Sequence, residues 1–381
     1  MKTEDPSRAW SVRWLFLGFV LTGVGTTLLG CILPALSKIW HMNDDRAGIL
    51  FAAQFSGAAF GASFVSHDYF GSVVRGYLLL IASALSIAYF ADSSRVWPFV
   101  VFGLGLGLTM TATSMLTGST FRAHRGAALS LLNACWGLGA VLCPAMTSLW
   151  IRRWTPGKLF LTLAVALVIV LLLIGRRRSA FPSNRRDPSD AERGPFPLHL
   201  ILGVALIAFL YVGVEVSVSG WMMSYVHRLT ASGNPWPPIA VSCFWIALLC
   251  GRAVAPAVLQ RMSEADLLTA SVLAAFISVL LLLLNRTPLG IVLSATSSGL
   301  ALGPIYPLCL AKVLALANDS PKTKWIFGIS GLGGALLPWL TGKLSAHNGS
   351  LTIGLIVPLF ALGIMLVHQL GITQRSSLLH R

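Results

Sequence analysis

The chain has 381 residues, 55% apolar and 11% charged, with a mean hydropathy of +0.77. That balance excludes an ordinary water-soluble domain and points to a polytopic membrane protein. The net charge of +15 does not indicate a nucleic-acid partner, because the basic residues fall in short loops between apolar stretches and form no patch on a soluble domain.

A stretch of about 20 apolar residues is needed to cross a roughly 30 Å hydrocarbon core. Twelve stretches qualify, starting near Trp14, Ala47, Gly76, Pro98, Gly126, Leu159, Leu198, Ile239, Leu267, Leu289, Ile326 and Leu351. Met1 to Arg13 before the first stretch resembles the opening of a signal peptide. The apolar run continues to Leu36, however, which is too long for an h-region and lacks a clear cleavage site, so a first transmembrane helix is expected. The hydrophilic interruption 176–197 carries six arginines, three acids and four prolines and separates six spans from six. It reads as a solvated cytoplasmic linker between bundles at 1–175 and 198–381, with its arginines attracted to anionic lipid. With the N-terminus inside, 18 Lys/Arg fall on the cytoplasmic side and 9 outside, Arg252 remaining within a span. This asymmetry predicts that both termini are cytoplasmic and that the protein spans a cytoplasmic (inner) membrane.

The six cysteines all lie inside spans without a CxxC pair and read as small buried residues. Among the thirteen acidic residues, Glu215 is the only one within a span. An ionisable group at that depth costs roughly 2.5 to 3.5 kcal/mol or more and is read first as functional. With no acid beside it, the desolvated carboxylate is expected to exchange a proton. The competing readings are a structural pair with Arg252 and coordination of sodium. At 1.5 Å per residue, span counting separates the depths of Glu215 and Arg252 by roughly 8 Å, so a long reach or a bridging group is required.

The two halves repeat each other. Gly23-Val-Gly-Thr-Thr-Leu-Leu-Gly30-Cys31 lines up with Gly213-Val-Glu-Val-Ser-Val-Ser-Gly220-Trp221, Gly103-Leu-Gly-Leu-Gly107 with Gly299-Leu-Ala-Leu-Gly303, and Gly137 to Pro144 with Gly331 to Pro338. The offsets are 190, 196 and 194 residues, so a single internal shift relates spans 1/7, 4/10 and 5/11. Six spans repeated by six is the plan of secondary transporters that bind substrate near the bilayer midplane.

These residues resemble the major facilitator superfamily. Gly61-Ala-Ser-Phe-Val-Ser-His-Asp68-Tyr-Phe-Gly71-Ser-Val-Val-Arg75 is similar to its G-x-x-x-D-R-x-G-R-R loop, keeping Asp68 and Gly71 while lacking the arginines that usually follow them. Gly213-x-Glu215-x-x-x-x-Gly220-Trp221, Phe244-Trp245 to Gly251-Arg252, Gly299 to Pro307 and Gly334 to Gly342 resemble the fucose/glucose/galactose permease group of sugar:cation symporters. The resemblance implies an all-α membrane protein of twelve transmembrane helices in two pseudo-symmetric six-helix bundles. It implies import of a monosaccharide, a hexose such as glucose, by cation symport. The acids that fucose permeases carry in helices 1 and 4 are absent here, which argues against fucose and its proton path.

A hexose needs flat apolar faces and uncharged donors and acceptors. The spans offer Gln54, Asn133, Trp136, Tyr211, Glu215, Trp221 and Trp245 as substrate contacts, with Glu215 also the proton-coupling residue. Asn133, Trp136, Gly137 and Ala140 share a helix face, as do Tyr211 and Glu215. Gln54 and Asn133 equally suit a bond to a neighbouring helix, the tryptophans suit packing, and Arg252 suits a structural pin. The remaining tryptophans at span ends read as interfacial anchors. There is no HExxH, P-loop or GxSxG motif, so no enzyme, cofactor or metal is expected. The expected partners are a sugar, a cation (H+ or Na+) and the bilayer, with the chain a monomer. The alternatives are an exporter of drugs or metabolites and a sugar sensor that does not transport.

Overall fold

The computed structural model describes residues 6–90, 92, 94–121, 124–175, 198–230, 233–317 and 323–379. The expected linker at 176–197 lies outside the described residues. Among the described residues there are fourteen α-helices and no strand. Two of the twelve expected spans are each divided into two helices, which accounts for the higher number.

The chain packs as two units, Met1–His41 with Ala53–Asp190 and Met42–Ala52 with Ala191–Arg381. In the first unit, α1 (Pro6–Ile39) packs on α5 (Arg125–Ile151) and α6 (Pro156–Gly175), and α3 (Tyr69–Phe90) packs on α4 (Trp97–Thr120) and α6. α2 (Asp44–Ser63) contributes its later turns to this unit. In the second unit, α7 (Leu198–Leu229) packs on α12 (Thr323–Asn348) and α14 (Ile356–Leu379). Beside it, α9 (Glu264–Leu284) packs on α10 (Pro288–Leu302) and α14, and α8 (Trp236–Val258) packs on α10. Span 10 is α10 followed by α11 (Ile305–Ala317), and span 12 is the short α13 (Leu351–Gly354) followed by α14. Pro304 and Pro358 sit at or just after these interruptions, where each lacks the N–H that would continue the helix. Ten spans are long and apolar enough to cross a membrane. α2, with its charged start at Asp44, Asp45 and Arg46, and the glycine-rich α12 fall outside that set.

The repeat read from the sequence is repeated in the packing of each unit. A Cβ on Gly139 of α5 would collide with the Val20 carbonyl of α1, and one on Gly333 of α12 would collide with the Phe209 carbonyl of α7. Likewise Gly103 and Gly107 of α4 face the Gln54 and Ala58 carbonyls of α2, while Gly299 and Gly303 face the Phe244 and Leu248 carbonyls of α8. At these four seams only a hydrogen fits, and close approach of backbones is the means by which helices associate in lipid. The same seam therefore recurs on α1/α5 and α7/α12, and again on α2/α4 and α8/α10.

Helix ends follow local chemistry. The Ser263 side chain accepts from the Asp266 N–H at 3.1 Å, and Thr287 accepts from Gly290 at 3.2 Å, capping α9 and α10. At the start of α3, the Asp68 carboxylate accepts from the Gly71 N–H at 2.9 Å, and Arg75 donates to Ser66 Oγ at 2.7 Å. The two retained residues of the degenerate loop thus serve a helix cap. At the α5/α6 corner, the Trp150 and Trp154 rings lie 6.1 Å apart and Lys158 sits 4.2 Å over Trp154, an amphipathic cluster suited to the headgroup level.

The first turns of α2 belong to the second unit, which the sequence division at 1–175 did not foresee. Gly48 lies against the backbone of Trp339, and Phe51 packs on Trp221 with centroids 5.5 Å apart. Asp44 accepts from both terminal nitrogens of Arg228 at 2.8 and 2.5 Å and from Ser345 Oγ at 2.5 Å. Asp44, Gly48 and Phe51 recur at helical spacing, so one face of α2 makes all three contacts.

Candidate functional site

In the second unit, Tyr211 and Glu215 stand one turn apart on α7, and Arg252 approaches from α8. Arg252 Nη2 donates to Glu215 Oε2 at 3.2 Å and to the Tyr211 hydroxyl at 3.3 Å, while the Tyr211 hydroxyl itself donates to Glu215 Oε2. The sequence-based separation of roughly 8 Å is closed in both anticipated ways: the guanidinium reaches, and the tyrosine bridges. The pair with Arg252, one of the readings the sequence left open for Glu215, is present as an ion pair.

Tyr211 is 1% exposed and stacks on Tyr306 at 5.6 Å between centroids with planes 26° apart. Tyr306 is the second residue of α11, immediately beyond the interruption in span 10. Its hydroxyl meets Ser330 of α12, and its ring lies close enough to Glu215 and Arg252 to feel both charges. Four helices therefore converge on one charged pair.

The pair is only partly saturated. Both bonds from Arg252 use the same nitrogen, its Nε is buried with no hydrogen-bond partner, and the side chains of Arg252 and Glu215 remain 23% and 13% exposed. A guanidinium has five N–H donors and a carboxylate about four acceptor positions. In a low-dielectric interior such incompletely used charges are costly. The arrangement thus offers donors on Arg252 and acceptor capacity on Glu215 to an incoming polar molecule.

In the first unit, Gln54 Nε2 donates to the Thr26 carbonyl at 3.2 Å, and Trp136 Nε1 donates to Thr26 Oγ1 at 3.4 Å. Gln54 is 2% and Trp136 8% exposed, so α1, α2 and α5 meet at Thr26 with these polar groups directed inward. The sequence reading passed over Thr26 because a threonine in a membrane helix ordinarily bonds back to its own preceding turn, as this one also does to Thr22 at 2.8 Å. Asn133 lies one turn from Gly137 on the same face of α5 but is exposed.

Trp221 and Trp245 are not brought into either cluster. Trp221 is fully buried, donates to the Pro338 carbonyl at 3.0 Å and packs on Phe51, a complete set of packing interactions. Trp245 is 3% exposed and meets Phe244 edge to face at 5.4 Å. Arg252, read from the sequence as a structural pin or partner of Glu215, and Tyr306, which lies within the Gly299 to Pro307 motif, belong to the charged cluster. The sequence signal for Arg252 was its lone position within a span, and for Tyr306 the adjacent Gly-Pro.

Residues 15–324 match the family model described as Major Facilitator Superfamily. The chain is 26% identical to the glucose/galactose transporter of Brucella abortus biovar 1 (strain 9-941), over 92% of each chain. It is 21% identical to the glucose/mannose transporter GlcP of Bacillus subtilis (strain 168), over 88% of each. Among solved structures, the Major Facilitator Superfamily transporter FucP in the outward conformation is similar with a TM-score of 0.60 and 17% identity, covering 95% of this chain and 98% of that one.

Proposed function

Because the chain belongs to the Major Facilitator Superfamily, whose members here are transporters and not enzymes, we propose that it imports a monosaccharide of hexose size across the cytoplasmic membrane by symport with a cation, a proton in the first instance. The single observation that carries the coupling is the Glu215–Arg252–Tyr211 cluster, a partly saturated ion pair on two apolar helices. The printed functions of the relatives, glucose/galactose and glucose/mannose transport, support the sugar. The direction, the cytoplasmic termini and the monomeric state rest on the loop charges and the family resemblance.

In this reading Glu215 exchanges a proton while Arg252 trades its bond to Glu215 for one to the bound solute, and Tyr211 holds both in place. Gln54, Trp136 and Asn133 of the first unit supply sugar contacts, and Thr26 orients the first two. Trp221 and Trp245 act as packing that fixes α7 and α8.

The test is Glu215→Gln in proteoliposomes. An amide resembles the neutral acid but releases no proton, so uptake driven by a cation gradient should be abolished while exchange of solute across the bilayer persists at least in part. Unchanged accumulation against a gradient removes Glu215 from coupling and leaves a facilitator. Absence of flux in the parent protein, with binding intact, would identify a sensor instead.

A further inference from the structure

Building on the coupling assigned to Glu215, we infer that the solute carried at this site is an acidic monosaccharide whose carboxylate is received by Arg252. The argument is one of charge. With Glu215 ionised, the cluster is neutral: one carboxylate, one guanidinium and two phenols. When Glu215 takes up the coupling proton, Arg252 is left as an unopposed cation in an apolar setting. Among the described residues, the elements packed on α7 around Glu215 carry no acid to offset it. α7 and α8 contribute Tyr211 and Arg252 themselves, α11 contributes Tyr306, α12 contributes Ser330, α10 has no titratable side chain, and His368 of α14 lies against Gly203, three turns away from Glu215.

A neutral hexose does not offset that charge, whereas a solute carboxylate does. One proton on Glu215 and one anion on Arg252 restore the zero net charge of the empty site, so the loaded and unloaded forms cross the low-dielectric region at similar cost.

The geometry offers a place for the anion. The Arg252 Nε is buried and makes no hydrogen bond, and both bonds that the side chain does make come from Nη2. In the planar guanidinium, Nε and Nη2 form the side-on pair of donors that meets a carboxylate in parallel, and Nη2 joins Nε in that pair when its bond to Glu215 is released. An independent feature adds positive potential on the same side. Span 10 is interrupted at Gly303 and Pro304, and α11 restarts at Ile305, so its N-terminal N–H groups lie beside Tyr306, which stacks on Tyr211. Gly303 lies against the backbone N of Arg252, which fixes the interruption next to that residue: a Cβ there would stand 2.8 Å from it. A helix N-terminus favours an anion.

No covalent step is involved. A proton moves onto Glu215, the Arg252 bond to Glu215 is replaced by a bond to the solute carboxylate, and both revert on release.

The experiment uses the full-length protein in proteoliposomes with labelled D-glucuronate and D-glucose, under an inward proton gradient, with the membrane potential clamped separately. The expected result is accumulation of D-glucuronate that follows the proton gradient and ignores the imposed potential, since one proton with one monoanion carries no net charge. D-Glucose should compete about tenfold or more weakly, the order expected for loss of one charge-assisted bond. Arg252→Lys keeps the charge but loses the fork, and should reduce D-glucuronate affinity without preventing Glu215-dependent proton movement. Accumulation of D-glucose that responds to membrane potential and requires Glu215 would overturn this inference and leave the proposed function standing. Flux of neither solute would overturn both.

Discussion

The cluster at the start of α2 allows a quantitative forecast. Asp44→Ala removes the acceptor of two hydrogen bonds from Arg228 and one from Ser345. Arg228 is 44% exposed and can turn to water, so its share of the loss is discounted to about 1 kcal/mol. Ser345 is 1% exposed and loses an acceptor, which adds roughly 1 kcal/mol. The sum, about 2 kcal/mol, corresponds to a fall in Tm of roughly 4 to 8 °C for a cooperative unit of about 200 residues. The loss also depends on pH. Burial disfavours the Asp44 charge, but the bonds from Arg228 and Ser345 and the charge of Arg228 outweigh it and hold the carboxyl below its ordinary value. A depressed carboxyl contributes stability above the unfolded pKa, about 3.9, and loses it as pH falls through the folded value. Intrinsic tryptophan fluorescence on heating, recorded in detergent from pH 7 to pH 3, should show the gap between Asp44→Ala and the parent narrowing toward the acid end. Equal Tm values at pH 7, or a gap that survives undiminished at pH 3, would refute the reasoning.

Other outcomes follow from the same geometry. Trp136→Ala or Asn133→Ala should weaken sugar binding without abolishing folding, read by thermal stabilisation with a hexose panel; unchanged affinity in both would remove α5 from the site and leave its contacts to α7 and α8. Trp221→Phe should lower Tm through loss of the indole bond to Pro338, about 1 kcal/mol, while leaving solute affinity as in the parent. Gly103→Ala should destabilise by about 1 to 3 kcal/mol because its Cβ meets the Gln54 carbonyl. Gly126→Ala, at a position where nothing lies within 4 Å, is the matched control; equal Tm values for the two would discount the seam.

Much of the architecture was legible because membrane helices carry strong local signals. The apolar runs set the spans, and Gly23, Gly103, Gly139 and their partners in the second half set the repeat, since a seam that admits only hydrogen leaves a glycine in the sequence. The divided spans were legible only in retrospect: Pro304 and Pro358 mark interruptions, yet Pro144 and Pro338 lie inside unbroken helices. The assignment of residues 42–52 to the second unit was not legible, because a continuous helix carries no mark of where its packing partners change.

The candidate site was legible residue by residue and not as a set. Composition singled out Glu215 and Arg252, but counting depth along helices left open whether the gap is closed; the reach of the arginine side chain and the bridging Tyr211 hydroxyl close it. Trp221 was drawn into the site by its chemical suitability for a sugar. Its indole is already committed to Pro338, a contact across more than a hundred positions of sequence.

The glycine seams restrict motion as well as packing. On α5, the positions one turn either side of Gly139 on the same face are Cys135 and Cys143, and on α12 the positions flanking Gly333 are Ile329 and Leu337. Sliding either helix by one turn, about 5.4 Å, would drive a side chain into the carbonyl that the glycine now faces. Longitudinal shear is therefore closed to α1/α5 and α7/α12 in both directions, and each pair must move as one strut. Any displacement that accompanies passage of a solute has to come from bending of these struts or from rotation of a whole pair.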